Sequence, residues 1–303
     1  MKKRKPGYRE NKYPVSMVLG AAGLGGVWGE VDPEESIATI LYALENGIDR
    51  IDTAPAYSRS EEFVGKALRR WKGAKPFLST KVGRLKGESA EDSINNYDVS
   101  VMRESVARSM ELLGREKLDL LFLHEAEKVP LAQIPAVVDF MVQLKKQGDA
   151  ERIGFGGMPP PVYFKYIRKG LFDVVMGYNN LDACCIDGMD TDIPFLFQQD
   201  MVIYQGSPLH MGLLGNSYTL LASQRPDWLP QRVIENARMA NSLAEQSDMP
   251  LTSLAHRFMM SIYEIDFMVI GAKNMLELKS TLKDYETGQL DEKLFNRIIE
   301  QII

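Results

Sequence analysis

Residues 51–58 read Ile51-Asp52-Thr53-Ala54-Pro55-Ala56-Tyr57-Ser58. An apolar run ends on a carboxylate, a turn of small residues follows, and a phenol stands five positions beyond the acid. Alone, the segment has an ordinary explanation: an Asp ahead of a turn hydrogen-bonds its own backbone, and Tyr is common in loops. Two later strand-like runs change its meaning. Phe77-Leu78-Ser79-Thr80 leads into Lys81, and Leu118-Asp119-Leu120-Leu121-Phe122-Leu123 leads into His124. An acid, a phenol, an amine and an imidazole thus collect at or just past the carboxyl ends of three successive strand candidates. A parallel α/β barrel places its chemistry at that end.

Outward from this stretch, strand-like and helix-like runs alternate every 30–40 residues or so, the cadence of βα units. Val15–Leu19 is the first strand candidate, and Asp32-Pro33-Glu34-Glu35 supplies an N-cap, a first-turn proline and two acids that the helix dipole favours. Ile37, Ile40, Leu41 and Leu44 share a helical face that Gly47 closes. The same period marks helices near Glu61–Arg70, from Val99 to Leu113 with Gly114 as stop, and from Ile134 to Leu144 ending at Gly148. Strand candidates continue at Arg152–Phe155, Asp173–Met176, Met201–Tyr204 and Phe267–Ile270, and Asp291–Ile303 reads as a closing helix. No linker composition divides the chain, so residues 1–303 are expected to form a single (β/α)8 barrel, with 1–12 a flexible basic lead-in. The loop from Gly206 to about Pro230 and the stretch Asp182–Asp190 are long for a compact domain, which makes them functional candidates.

At 303 residues with 45% hydrophobic and 25% charged side chains, the chain has the make-up of a soluble protein with a sizeable core. A net charge of −5 argues against a nucleic-acid partner. Lys2, Lys3, Arg4 and Lys5 read as a solvated, frayed terminus, and no apolar segment follows that would make a secretory signal. Met201–Gln224 is long and uncharged, but its Gln205, Ser207, Pro208, Asn216 and Ser217 would be costly in lipid, so no membrane span is expected. Adjacent Cys184 and Cys185 offer no disulfide framework and no ligand spacing, and the histidines do not pair with them. The expectation is a reduced, cytoplasmic location and no metal.

The Asp-Thr-Ala-x-x-Tyr turn, the Thr80-Lys81 strand end and the Asp-Leu strand ending on His124 resemble the pattern of the aldo-keto reductase family, from Val15 to about Tyr285. Ser79-Thr80-Lys81-Val82-Gly83-Arg84, Asn96-Tyr97-Asp98 and Ser207-Pro208-Leu209 before Met211-Gly212-Leu213-Leu214 are similar to a sugar-oxidising branch containing the D-threo-aldose and L-galactose 1-dehydrogenases. The resemblance implies an NAD(P)-dependent oxidoreductase moving a hydride between nicotinamide and C1 of an aldose, with a small carbonyl compound or sugar as partner. Tyr57 would be the proton acid or base. A free tyrosine ionises only near pH ~10. Lys81 against its hydroxyl lowers that value, and Asp52 keeps Lys81 charged and placed. His124 would orient the substrate oxygen.

By the same resemblance, Ser207, Leu209 and Gly212 would meet the coenzyme pyrophosphate, and Gly271, Lys273 and Glu277 its adenosine end, where a helix start suits phosphate. Many family members carry Arg or Gln at the position of Glu277; a carboxylate there would repel a 2′-phosphate, so NAD is expected over NADP, with Lys273 pulling the other way. The usual Ser-Asn pair after the fifth strand reads Gly156-Gly157, the usual Gln reads Met176, and the aromatic that stacks on nicotinamide reads Gly206. The glycines Gly20, Gly23, Gly25 and Gly26 lack the framing of a dinucleotide fingerprint and are expected to let backbone pass close to ligand.

Each residue has a plainer alternative. The Lys–Asp pair and His124 are common structural furniture at strand ends, and Trp28 is either a pocket wall or core. Trp228 and Tyr218 could close over ligand. His256 reads as structural, and His210 as a solvated loop residue. Competing functions are a general NADPH-dependent aldehyde or ketone reductase, a Schiff-base aldolase using Lys81, and a nucleotide-sensing accessory subunit.

Overall fold

In the computed structural model, which describes residues 4–9, 15–87 and 93–302, the runs ending on Asp52, Lys81 and His124 are parallel strands lying side by side. In chain order the strands are β1 Ser16–Gly20, β2 Arg50–Asp52, β3 Phe77–Val82, β4 Arg84–Leu85, β5 Ile94–Asn95, β6 Leu118–His124, β7 Ala150–Gly156, β8 Val174–Tyr178, β9 Val202–Gly206 and β10 Phe267–Gly271. Eight of them close a barrel in the order β1-β10-β9-β8-β7-β6-β3-β2, while β4 and β5 pair as a separate antiparallel hairpin. The eight are the strands anticipated from the apolar runs. Being covered on both faces, they carry near-continuous apolar sequence; five consecutive positions of β6, Leu120–His124, are buried.

The helices are α1 Pro33–Glu45, α2 Ser60–Arg70, α3 Val99–Leu113, α4 Ile134–Gln147, α5 Phe164–Ile167, α6 Ile193–Gln198, α7 Tyr218–Gln224, α8 Gln231–Gln246, α9 Leu251–Met260, α10 Met275–Thr287 and α11 Glu292–Ile302. Their ends follow local chemistry. The Asp32 side chain accepts from Glu35 N at 2.8 Å to start α1, and Gly114 and Gly148 take left-handed conformations to stop α3 and α4. The apolar face of α4 buries Ile134, Val137, Val138, Met141 and Leu144, each contributing about 1.5–3 kcal/mol on transfer from water.

The chain divides into two compact units, one of Met17–Met176 with Gly271–Leu278, the other of Met1–Ser16, Gly177–Ile270 and Lys279–Ile303. The first holds β1 to β7 apart from the first residue of β1, and the second holds β9 with most of β10. Lys2, Lys3 and residues 10–12 of the basic lead-in lie outside the described residues. Residues 4–9 correct the expectation of a frayed terminus. Tyr8 bridges Ile262, Arg9 N bonds Ser261 O at 2.7 Å, and the Arg9 guanidinium donates to the carbonyls of Ile262, Tyr263 and Ile265. The guanidinium satisfies carbonyls in the connection between α9 and β10, which local composition does not reveal. Of the two long loops, the first contains α7, and Asp182–Asp190 folds around a buried Asp182. Among the described residues no helix is long and apolar enough to cross a membrane.

Candidate active site

Strand periodicity brings the four chemical groups together. Asp52 is opposite Ser79, Lys81 opposite Phe122, and His124 opposite Gly156, so Ser79 and Lys81 share a face of β3, and Phe122 and His124 share a face of β6. Lys81 is buried, and an ammonium has three N–H donors. Two of them go to the Asp52 carboxylate and to the Thr53 carbonyl at 3.0 Å, and the ammonium also acts electrostatically on the Tyr57 hydroxyl. The other Asp52 oxygen accepts from Ser79 Oγ at 2.7 Å. Lys81 Nζ lies 4.7 Å from the Tyr57 ring centre, and the Tyr57 and His124 rings meet edge-on with centroids 5.8 Å apart.

Tyr57 is held by its turn. Tyr57 N bonds Ala54 O, Ser60 N bonds Tyr57 O, and Ser58 sits at φ 52°. The glycine-rich exit of β1 packs directly against this turn: a Cβ on Gly25 would stand 2.3 Å from Tyr57 O and 2.6 Å from Ser60 Cβ. Gly25 therefore serves a backbone-to-backbone approach, which corrects for this one glycine the expectation that it makes room for ligand.

The charges are set by burial and by each other. Loss of water pushes the Tyr57 hydroxyl above its ordinary value; Lys81 opposes this and Asp52 adds to it, so the net shift is upward. Burial disfavours the Lys81 ammonium, but Asp52 and Tyr57 outweigh it and hold it charged. Burial, with Lys81 and Arg84 nearby, keeps the His124 imidazole well below its usual range, hence neutral. His124 Nδ1 is buried without a protein partner. A neutral imidazole beside a protonated phenol is a pair of hydrogen-bonding groups with capacity left over for one oxygen atom between them.

Trp28 is 44% exposed and lines a cleft of about 240 Å³ with Gly23, Asp32, Glu35, Lys273 and Asn274, so it is a wall and not core. Lys273 Nζ lies 5.8 Å from the Trp28 ring centre. At the start of α10, Asn274 Oδ1 accepts from Glu277 N at 2.9 Å while Glu277 Oε2 accepts from Lys273 N at 2.9 Å. This is a reciprocal cap of the kind Asn-x-x-Glu predicts, a purpose for Glu277 that the sequence reasoning missed. In the other unit, Ser207, Leu209 and Gly212 form the turn after β9, with Ser207 and Gly212 both at positive φ. His210 is buried and its Nδ1 lies 2.7 Å from Asp182 Oδ2, which corrects its expected solvation. It also approaches Cys184 through Asp182: ligand atoms of Asp182, Cys184 and His210 lie within 4.8 Å of one another, so the expectation that no histidine pairs with the cysteines does not hold. Trp228 is exposed, and His256 in α9 is paired with Asp284.

A model of the aldo/keto reductase family matches residues 16–303. The chain belongs to that family. This aldo/keto reductase is 25% identical over 295 residues to L-galactose dehydrogenase of Arabidopsis thaliana, covering 92% of this chain and 88% of that protein. Over 288 residues it is 30% identical to D-arabinose 1-dehydrogenase of Saccharomyces cerevisiae, covering 89% and 82%. A glycerol dehydrogenase from Gluconobacter oxydans has the same fold, with a TM-score of 0.77 over 98% of this chain and 94% of that one, at 23% identity. Membership makes this aldo/keto reductase an NAD(P)-dependent oxidoreductase.

The residues present suit such a coenzyme. His124 Nδ1 is an unsatisfied buried polar atom on the ring that meets Tyr57 edge-on, and the start of α10 opens on the Trp28 cleft. Two supporting residues of this aldo/keto reductase went unread in the sequence. Glu61, buried in the first turn of α2, accepts from Thr80 Oγ1 at 2.7 Å, one residue before Lys81. Tyr97 donates to the carbonyls of His124 and Glu125, both at 2.9 Å, fixing the end of β6. The signal for Glu61 was only its place beside Glu62 at the start of a helix; for Tyr97 it was only the resemblance.

Proposed function

We propose that the enzyme oxidises an aldose at C1 to the lactone, with Tyr57 as proton partner, Lys81 and Asp52 as its electrostatic support, and His124 as the donor that orients the substrate oxygen. The observation that carries this is the buried Lys81 ammonium, bonded to Asp52 and the Thr53 carbonyl and standing 4.7 Å from the Tyr57 ring centre. The nicotinamide coenzyme, when bound, takes up the hydride from C1. Tyr57 accepts the proton of the C1 hydroxyl, and the electron pair left on oxygen forms the carbonyl. Neutral His124 fixes that oxygen without exchanging a proton, because its ring stays uncharged across the neutral range. A positioned acid–base group of this kind contributes about 10²–10⁴-fold. Similarity to two sugar dehydrogenases favours a polyol substrate.

For the coenzyme, Ser207, Leu209 and Gly212 are proposed at the pyrophosphate and Gly271, Lys273 and Glu277 at the adenosine end, with NAD preferred. The Glu277 carboxylate accepts from the Lys273 N–H at the start of α10, and its charge there would repel a 2′-phosphate. Free thiols at Cys184 and Cys185 accord with the proposed cytoplasmic setting.

One observation favours reduction of aldehydes as a second reading: burial holds Tyr57 protonated, ready to give a proton. The Schiff-base alternative is disfavoured because an aldolase lysine must be neutral to attack, and Lys81 is held charged by its ion pair with Asp52. A panel of aldoses and aldehydes followed by coenzyme absorbance, with both NAD and NADP in each direction, tests the proposal. Aldose oxidation with the higher kcat/KM for NAD⁺ is expected; turnover of simple aldehydes alone, or a clear NADP⁺ advantage, overturns the respective part.

A further inference from the structure

The turn after β9 is strained. Ser207, His210 and Met211 have φ of 56°, 45° and 54°, and Gly212 has φ of 94°. For residues with a Cβ this region costs on the order of 1 kcal/mol or more each, so the conformation persists only where surrounding structure imposes it. The side chain at its centre supplies that constraint. His210 is buried and bound through Nδ1 to Asp182 Oδ2 at 2.7 Å. Asp182 is itself immobilised, since Oδ1 accepts from Cys184 N at 2.9 Å, Cys185 N at 3.0 Å and the Cys184 thiol at 3.1 Å. From α8, Asn236 donates to Cys184 O at 2.9 Å and secures the same segment. Gln205, two residues before Ser207, donates to Asn180 Oδ1 at 2.9 Å, a second tie between the two stretches of chain.

Asp182, Cys184 and His210 are also a possible ligand set by residue type, with donor atoms within 4.8 Å. Their spacing speaks for protons instead. The pairs at 2.7 and 3.1 Å are hydrogen-bonded, whereas ligands about 2.0–2.3 Å from a tetrahedral zinc ion stand roughly 3.3 Å or more apart. Burial, reinforced by Asp182, pushes the Cys184 thiol well above its ordinary value, so it keeps the proton it donates.

We propose that His210 and Asp182 are positioning residues whose buried pair sets the shape of the Ser207–Gly212 turn and, through it, the affinity for the coenzyme. The proposal rests on the assignment of that turn to the coenzyme pyrophosphate. Neither residue touches the reacting atoms. The pair therefore acts on binding, and leaves the hydride step nearly unchanged once coenzyme is saturating.

The pair is also sensitive to pH. The groups facing His210 are Asp182 and, beyond it, Asp187 and the Cys184 thiol; Arg232 on α8 is engaged by Asp187 at 2.6 Å. Burial disfavours the charged imidazole, but Asp182 and Asp187 outweigh it and the net shift is upward. A raised imidazole stays charged below its shifted value and loses its charge as pH rises through it. Coenzyme affinity accordingly falls on the alkaline side of that transition.

The experiment is a fluorescence titration of NAD⁺ against the full-length wild type and the variants His210→Ala, His210→Asn, Asp182→Asn and Ser207→Ala, with kcat measured at saturating coenzyme. His210→Ala is expected to weaken binding on the order of tenfold or more, while kcat changes by less than about threefold. His210→Asn, which retains a donor near the Nδ1 position, recovers part of the affinity but lacks the alkaline transition. Asp182→Asn keeps the acceptor for the Cys184 and Cys185 amides, so it folds and serves where His210→Ala does not. If Ser207→Ala weakens binding but the His210 and Asp182 variants match the wild type, the positioning role is wrong. If none of the variants, Ser207→Ala included, alters binding, the assignment of the turn has failed and the proposal with it. Stoichiometric zinc in the purified protein would also overturn the account.

Discussion

Lys81 is the residue on which the others depend. Bonded to Asp52 and the Thr53 carbonyl, with its charge matched by Asp52, it cannot be replaced without stranding a buried carboxylate. Lys81→Met should destabilise the protein by about 3–5 kcal/mol in denaturant unfolding. Adding Asp52→Asn should recover much of that loss but none of the turnover. Recovery of turnover in the double variant would remove the ammonium from the mechanism. The upward shift at Tyr57 fixes a second outcome. Oxidation needs the phenolate, so its kcat/KM should rise with pH through the neutral and alkaline range, whereas reduction needs the phenol and should hold level before falling. Neutral His124 adds no inflection above its lowered value. The tetrad was visible as four residue types at strand ends, but Glu61 was not. A buried acid bonded to Thr80 depends on the packing of α2 against β3, and nothing local separates it from an exposed helix-start acid.

At the scale of elements, the Tyr57 turn and the exit of β1 form one packed unit. Gly25→Ala would drive a Cβ into Tyr57 O and Ser60, and main-chain atoms cannot swing aside as a long side chain does. Turnover is expected to fall by about tenfold or more through misplacement of the hydroxyl, with substrate KM changing less. An unchanged kcat would show that the turn accommodates the methyl. Strands and long helices were legible because apolar periodicity records which face is buried, and caps such as Asp32, Gly114 and Gly148 carry their own chemistry. The β4–β5 hairpin and the folded stretch around Asp182 were not. Asp182 meets His210 28 residues away, and a pairing across that distance leaves no periodic trace.

For the molecule as a whole, the net charge of −5 argued against a nucleic-acid partner, and the alternating strand and helix cadence pointed to the barrel that the strands close. The segment expected to be loose is a clasp: Arg9 gathers the carbonyls of Ile262, Tyr263 and Ile265. Arg9→Ala leaves several of them without a donor, so thermal melting should drop by a few degrees, consistent with roughly 1–3 kcal/mol. An unaltered Tm would return this segment to the role of a loose tail.

The central claim is that the Tyr57 hydroxyl exchanges the proton of the reaction under the influence of Lys81. It is tested most directly by comparing Tyr57→Phe with the wild type in aldose oxidation while coenzyme binding is measured in parallel. The account predicts unaltered coenzyme affinity and turnover lower by about 10²–10⁴-fold. Turnover within about threefold of the wild type, at equal coenzyme occupancy, would contradict it.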